Sequence, residues 1–161
     1  MIQNLSMINN QIMKKFLYTV KITIISILLT SSVVAKQSDY LKEGISLFNK
    51  QKYEKSKILF EKDIVFDPKS EKSYLYLAKI FYESDNDLEQ EINLENVLLI
   101  NPQNDEAIYM LTLLKIKQSD YVKAKELIDK FVLVCKSFCT KEDEMREKFK
   151  KLIPENAKGN N

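Results

Sequence analysis

The strongest constraint on this chain is an internal period of 34 residues. Pro68 and Pro102 stand 34 apart, in "FDPKSEKSYLYLAKIFY" and "INPQNDEAIYMLTLLKI". Tyr40 and Tyr74 differ by the same interval, and Tyr53 and Tyr121, in "QKYEKSK" and "SDYVKAK", differ by 68, twice that. A repeat of this length is one supersecondary unit. It cannot bury its apolar face alone and must stack on copies of itself. The unit reads as helical. In "SYLYLAKIFY", Tyr74, Leu77, Ala78 and Phe81 fall at i, i+3, i+4 and i+7, the stripe of an amphipathic helix. Ile108, Leu111, Thr112 and Lys115 repeat the spacing less perfectly. The residue before a proline is disfavoured in a helix, so Asp67-Pro68 and Asn101-Pro102 mark boundaries. With only 2 Gly and 3 Pro, a turn-rich β architecture is disfavoured.

Composition narrows the chemistry. The 161 residues, enough for one ordinary domain, include no His. That excludes His general bases, Ser-His and Cys-His nucleophile pairs and His-ligated zinc. Carboxylate neighbours such as Glu89 with Glu91, or Glu142 with Asp143, have no companion nucleophile and read as solvated helix faces. Residues 1–35 carry Lys14, Lys15 and Lys21 and no acid, which leaves 22 basic against 23 acidic residues beyond them. A near-neutral body lacks the basic excess of a nucleic-acid binder.

The 34-residue unit resembles the tetratricopeptide repeat (TPR), whose pattern W-x2-L-G-x2-Y, A-x3-F, P is a helix-turn-helix. In the first repeat, Tyr40 stands at the Trp slot, Gly44 at the Gly slot and Leu47 at the next aromatic slot, followed by Ser56, Phe60 and Pro68. The second runs Tyr74, Leu77, Ala78, Phe81, then Leu94 and Pro102; the third runs Ile108, Leu111, Thr112, then Ala124 and Ile128. Four residues depart from the pattern. Glu43 fills a Leu slot, Gln90 a small-residue slot, Lys115 an aromatic slot, and Lys136 takes the place of the third proline. The resemblance implies an all-α, right-handed solenoid of three degenerate repeats over 36–138 (about 37–70, 71–104 and 105–138). Residues 139–153 follow as a capping helix. There Thr140 and Asp143 match a capping box, and Met145, Phe149, Leu152 and Ile153 share one face. Residues 154–161 read as a disordered tail.

The N-terminus carries a second signal. From Met13, two lysines precede an apolar stretch that ends in Val33-Val34-Ala35, the order of a secretory leader. The uncharged run 22–35 is 14 residues, short of the ~20 that span a bilayer. Cleavage after Ala35 places the body in the periplasm or outside the cell. A retained leader would instead anchor it in the inner membrane, facing the periplasm. Either the first 12 residues extend the leader or translation starts at Met13.

Cys135 and Cys139 bracket the turn between the third repeat and the capping helix. In an oxidising compartment a structural disulfide is the expected state. Two thiolates without His fall short of a metal site, and the C-x-x-C beside a helix start that marks thiol-redox sites is missing. A redox pair and free thiols remain the alternatives.

The resemblance also implies a concave surface lined by the first helix of each repeat, on which TPR proteins hold peptides or partner segments. Projected onto this chain, that surface takes Leu41, Ile45 and Phe48 from repeat one. Repeat two contributes Leu75, Lys79 and Tyr82, and repeat three Tyr109, Leu113 and Ile116. An apolar face of this kind is either a groove or buried core, and periodicity alone does not separate the two. The Lys/Asn/Arg clasp by which some TPR domains hold a C-terminal carboxylate is replaced by Leu41, Ile45, Tyr76, Glu106 and Met110. The expected function is an exported, non-enzymatic adaptor with no cofactor, metal or nucleic acid. Its partner is another envelope protein or peptide segment, and a membrane only if the leader is kept. The alternatives are a thiol-redox protein using Cys135 and Cys139, and a membrane-anchored assembly factor.

Overall fold

The computed structural model describes Met13 and residues 39–152, apart from the side chain of Leu152. The expected leader, Ile153 and the expected tail lie outside the described residues. The chain divides into Met1–Lys36 and Gln37–Asn161, and the helices below belong to the second unit. Among the described residues there is no strand, and no helix is long and apolar enough to cross a membrane.

Six helices form three consecutive helix-turn-helix pairs: α1 (Asp39–Asn49) with α2 (Tyr53–Phe66), α3 (Glu71–Glu83) with α4 (Asp87–Ile100), and α5 (Asp105–Lys117) with α6 (Tyr121–Val134). A 3-10 turn (Cys139–Lys141) and α7 (Glu142–Leu152) follow. Each helix packs most extensively on the partner in its pair, then on its neighbour in sequence, and α7 packs on both α5 and α6. This is an all-α solenoid.

The turn inside each pair is built by backbone geometry. Gln51, Asp85 and Ser119, at intervals of 34, all lie in the left-handed region with φ of 56°, 53° and 60°. Around Asp85, its own N–H donates to the Tyr82 carbonyl and that of Asn86 to Phe81. The same two bonds recur around Gln51 and Ser119. This is the Schellman termination, formed three times without the glycine that usually occupies it. Side-chain caps then start the second helices of the last two pairs: Asn86 accepts from the Glu89 N–H at 3.3 Å and Asp120 from Lys123 at 3.1 Å.

Small residues let the paired helices approach. Gly44, Ala78 and Thr112 occupy one repeat position and all are buried. The Ser56 hydroxyl donates to the Gly44 carbonyl at 2.8 Å. Phe60, Leu94 and Ile128, also 34 apart, fill the space between. Two departures from the pattern have physical reasons. Lys115 at the aromatic slot is buried, but its ammonium bonds the Glu91 carboxylate and, at 3.0 Å, the Gln118 amide oxygen. Glu43 at the leucine slot is exposed, so it costs no desolvation.

Between pairs, the acidic residue that opens the first helix of the second and third pairs holds the turn that follows its pair. Glu71 accepts from the Asn101 amide at 2.9 Å and the Asn104 amide at 2.5 Å. One period later, Asp105 Oδ2 accepts three backbone N–H groups, from Lys136 (2.7 Å), Ser137 (2.6 Å) and Phe138 (3.0 Å). Proline has no N–H, so Lys136 in the proline slot supplies a bond that Pro68 and Pro102 could not. Burial of Asp105 works against its charge, but these amides together with that of Glu106 outweigh it and hold its carboxyl below the ordinary value. At the far end, Met145 is buried in the core of the last pair and Phe149 packs against it. The capping box at Thr140 gives way to a different start. The Lys141 N–H donates to the Phe138 carbonyl at 2.8 Å, residues 139–141 close a 3-10 turn, and the α-helix begins at Glu142.

Two predictions follow from this packing. A Cβ at residue 44 would sit 2.7 Å from the Phe60 ring, which is fully buried and stacked on Tyr76 at 5.0 Å. Overpacking costs roughly 1–3 kcal/mol, whereas alanine gains only about 1 kcal/mol of helix propensity over glycine. Gly44→Ala is therefore expected to lower Tm, and a raised Tm would contradict the close approach. The second concerns Asp105, whose folded pKa lies below its unfolded value. Its contribution is full above about pH 5 and fades as pH falls below about 4, through the folded value. Asp105→Ala should destabilise the protein at pH 7, and the gap to wild type should narrow between pH 5 and 2 in thermal melts. A gap that stays constant with pH would mean that the charge plays no part.

Candidate functional site

The open side of α5 sets the site. Its inward residues, among them Ala107, Ile108 and Leu111, are buried in the core. A helix apolar on one face alone would turn only charge outward, but α5 is apolar nearly all round. Its second stripe, Tyr109, Met110 and Leu113, lines a cavity of about 430 Å³. Lys79 and Tyr82 of α3 form the facing wall, Gln90 of α4 contributes to the floor, and Phe138 and Lys148 close the C-terminal side. The volume is in the range of ligand clefts, roughly 300–1,000 Å³.

The charges around the mouth are matched. Lys79 pairs with Glu106 at 2.8 Å and lies 4.9 Å from the Tyr76 ring centroid. Lys117 is shared between Asp85 (2.5 Å) and Asp87 (2.7 Å), which together raise its pKa, while Asp85 is lowered in turn. Glu144 is held by Lys148 and Lys141, each at 2.9 Å, and these bonds take its carboxyl to about 2. Tyr109 donates its hydroxyl to Glu144 at 3.1 Å; burial, then the neighbouring carboxylate, raise its pKa. The Phe138 ring lies 6.0 Å from that of Tyr109, and the Lys141 ammonium 5.6 Å from the same ring. A ligand therefore meets an apolar, aromatic wall whose surrounding cations already have partners.

The structure divides the nine projected groove residues. Lys79, Tyr82, Tyr109 and Leu113 meet on the cavity, and Tyr82 keeps 61% of its surface exposed. Leu41, Leu75 and Ile116 are buried in the core, with 8% or less of their surface exposed, and offer a partner almost nothing. Ile45 and Phe48 are half-buried against the core of the first pair, Phe48 between the rings of Tyr53 (5.4 Å) and Tyr76 (5.0 Å). Met110 and Glu106 enter the sequence reading only as positions where the carboxylate clasp is replaced, and Gln90, Leu114, Lys117, Phe138 and Lys148 are not projected onto the groove. The spacing of Tyr109, Met110 and Leu113 on the back of α5 carried a signal for Met110; Phe138 has no counterpart in the other turns. Cys135 and Cys139 have their sulfurs 2.16 Å apart, at disulfide distance, with Cα atoms 5.2 Å apart. Among the described residues no group of three or more His, Cys, Asp or Glu is placed to hold a metal ion.

Outside the cavity, the second helices carry a separate apolar feature. Val65, Leu99 and Leu133 share one repeat position and are 78%, 82% and 84% exposed.

No protein-family model matches the chain, and no curated protein matches it in sequence. Solved structures do match. The Sgt2 TPR domain from Aspergillus fumigatus superposes with a TM-score of 0.64 at 18% identity, over 78% of this chain and 84% of that one. The first TPR of Spaghetti (RPAP3), bound to the HSP90 peptide SRMEEVD, gives 0.64 at 14% identity, over 75% and 98%. A chain of the CopN–Scc3 complex gives 0.57 at 13%, over 77% and 80%. At these identities the likeness concerns the fold. With the three helix pairs, the recurring turn geometry and the small-residue positions, it assigns the chain the tetratricopeptide-repeat fold.

Proposed function

We propose that this chain is a non-enzymatic protein-interaction scaffold that holds an apolar segment of a protein partner in the cavity between α3, α5 and the C-terminal turn. The observation that carries the reading is the second apolar stripe of α5. Tyr109, Met110 and Leu113 are left over an open cavity, and Tyr82 and Phe138 face them. Aromatic residues around a partly desolvated pocket are the usual composition of interface anchors. The solved TPR structures with a bound peptide or a protein complex support a protein partner. An acidic peptide such as SRMEEVD suits this groove poorly, because Glu106 stands in it and its lysines are already paired.

We further propose that residues 1–35 direct export and that Cys135 and Cys139 are joined in the oxidising compartment beyond the membrane. The leader pattern and the sulfur separation support this. The thiol-redox alternative has no feature in its favour beyond the pair itself.

Random 12-residue peptides selected against residues 36–161, folded under oxidising conditions, test the groove. The expected winners are rich in apolar residues. Tyr82→Ala should weaken them by about 1 kcal/mol or more, as at an interface anchor, and Leu113→Asp should abolish them, while Leu99→Asp on the outer face leaves them unchanged. Peptides lost with Leu99→Asp but not with Leu113→Asp would move the site to the outer helices. Mass spectrometry of the native protein should find its N-terminus at Lys36; a chain beginning at Met1 or Met13 in the membrane fraction means the leader is kept.

A further inference from the structure

We infer that Phe138 determines which side chain the groove accepts, and that Asp105 and the Cys135–Cys139 bridge are the positioning residues that set it there. This rests on the reading of the cavity as a partner site. In the other turns, the repeat position of Phe138 holds Ser70 and Asn104, both polar and both at the start of a helix. Only the third turn sends an aromatic ring into the groove. It does so because α7 starts late. Continuation of the period would begin the helix at residue 139, but the 3-10 turn Cys139–Lys141 delays it to Glu142.

The ring is held from both sides of its backbone. Its N–H and the two before it converge on Asp105 Oδ2, and its carbonyl accepts the Lys141 N–H. The bridge closes the five-residue loop around it. Asp105 opens α5, the helix whose next turn carries Tyr109 and Met110, so one carboxylate ties Phe138 to the helix that lines the groove. The two anchors differ in chemistry. A dithiol reductant can remove the covalent one: its thiolate attacks one sulfur, its second thiol closes on the mixed disulfide, and two cysteine thiols are left. Cys139 is exposed to such an attack. The carboxylate anchor survives it.

The test compares wild type, Phe138→Ala, Phe138→Tyr, Asp105→Ala and the Cys135→Ser/Cys139→Ser double variant against the same random 12-residue library. NMR on wild type, Asp105→Ala and the double-Ser variant reads the proximity of the Tyr109 and Phe138 rings. A wild-type peptide should lose about tenfold in affinity on Phe138→Ala, the size of an anchor lost from an interface. Phe138→Ala should also select peptides with a larger side chain at one position, filling the vacated wall, and Phe138→Tyr should select the wild-type set. The double-Ser variant and Asp105→Ala should each weaken the wild-type peptide and lose the Tyr109–Phe138 contact. In the Phe138→Ala background neither should weaken it further, which a general loss of stability would not reproduce. Wild type treated with dithiothreitol should behave as the double-Ser variant.

An unchanged peptide set from Phe138→Ala overturns the specificity role. A Tyr109–Phe138 contact that persists in the double-Ser variant, or two free thiols in the oxidised protein, overturns the positioning role of the bridge. Its persistence in Asp105→Ala overturns that of the carboxylate. If the library yields no peptide, or only peptides indifferent to Leu113→Asp, the groove reading falls and takes the specificity role with it. The ring contact still decides the positioning role by itself.

Discussion

The approach of the two helices within a pair is the constraint on which the rest of the structure depends. At Gly44 there is no room for a single methyl group above Phe60, and Ala78 and Thr112 stand at the same place in the next pairs. That closeness fixes the approach of the two helices in the first pair. Thr112 shows that the third pair tolerates more at this position. It adds a branched side chain at this position, and its hydroxyl is absorbed by the Ile108 carbonyl of its own helix at 2.7 Å. Gln90 is a second enlargement. A long amide where Ser56 and Ala124 are small lies at the floor of the cavity, where the packing of the second and third pairs opens. A degenerate position in the repeat and the site therefore coincide in space.

A stack held only by apolar faces could slide, because burial is non-directional. The directional bonds are few and recur with the period. Glu71 and Asp105 each reach from the start of one pair to the turn at its end, in the same sense. The buried Asp63 ties α2 to the next pair by accepting the hydroxyls of Ser70 and Ser73. The first of these explains why Ser70, at the start of α3, does not cap that helix with its side chain: its hydroxyl is committed elsewhere. Polar groups placed at the joints fix register where hydrophobic contact leaves it free.

The period of 34 was sufficient to read the fold, because each recurrence in Pro68/Pro102 and Tyr53/Tyr121 reports a whole unit rather than a local propensity. α2 and α6 begin at those two tyrosines, and α4 at Asp87 midway between them. The turns inside the pairs were less legible. Left-handed residues are usually signalled by Gly or Asn, and here they are Gln51, Asp85 and Ser119, whose conformation follows from the hydrogen bonds around them. The site was legible only in part, since a stripe on a helix in a stack has two possible neighbours. Leu75 and Ile116 face the core, whereas Tyr82 and Leu113 line the cavity, and spacing along one helix does not distinguish these outcomes. Phe138 was beyond reach of any repeat argument because its position depends on a late helix start and a non-local carboxylate.

The charge pattern around the cavity bears on how such a groove discriminates. Lys79, Lys117 and Lys148 could have formed a cationic trap, but each is already matched by a carboxylate, Lys79 and Lys117 across to another element and Lys148 within its own helix. An incoming anion would have to displace an existing partner, and the exchange of one exposed ion pair for another yields little. An apolar side chain displaces only water from Met110 and Leu113 and disturbs no pair. On the proposed reading of the cavity as a partner site, selectivity comes from shape and from the rings that bound it. Tyr109 illustrates the division of labour: its hydroxyl is committed to Glu144, which fixes the ring where it lines the cavity. A groove of this kind discriminates by the rigidity of its walls, so the bonds that hold Phe138 and Tyr109 matter more to recognition than the number of charged residues nearby.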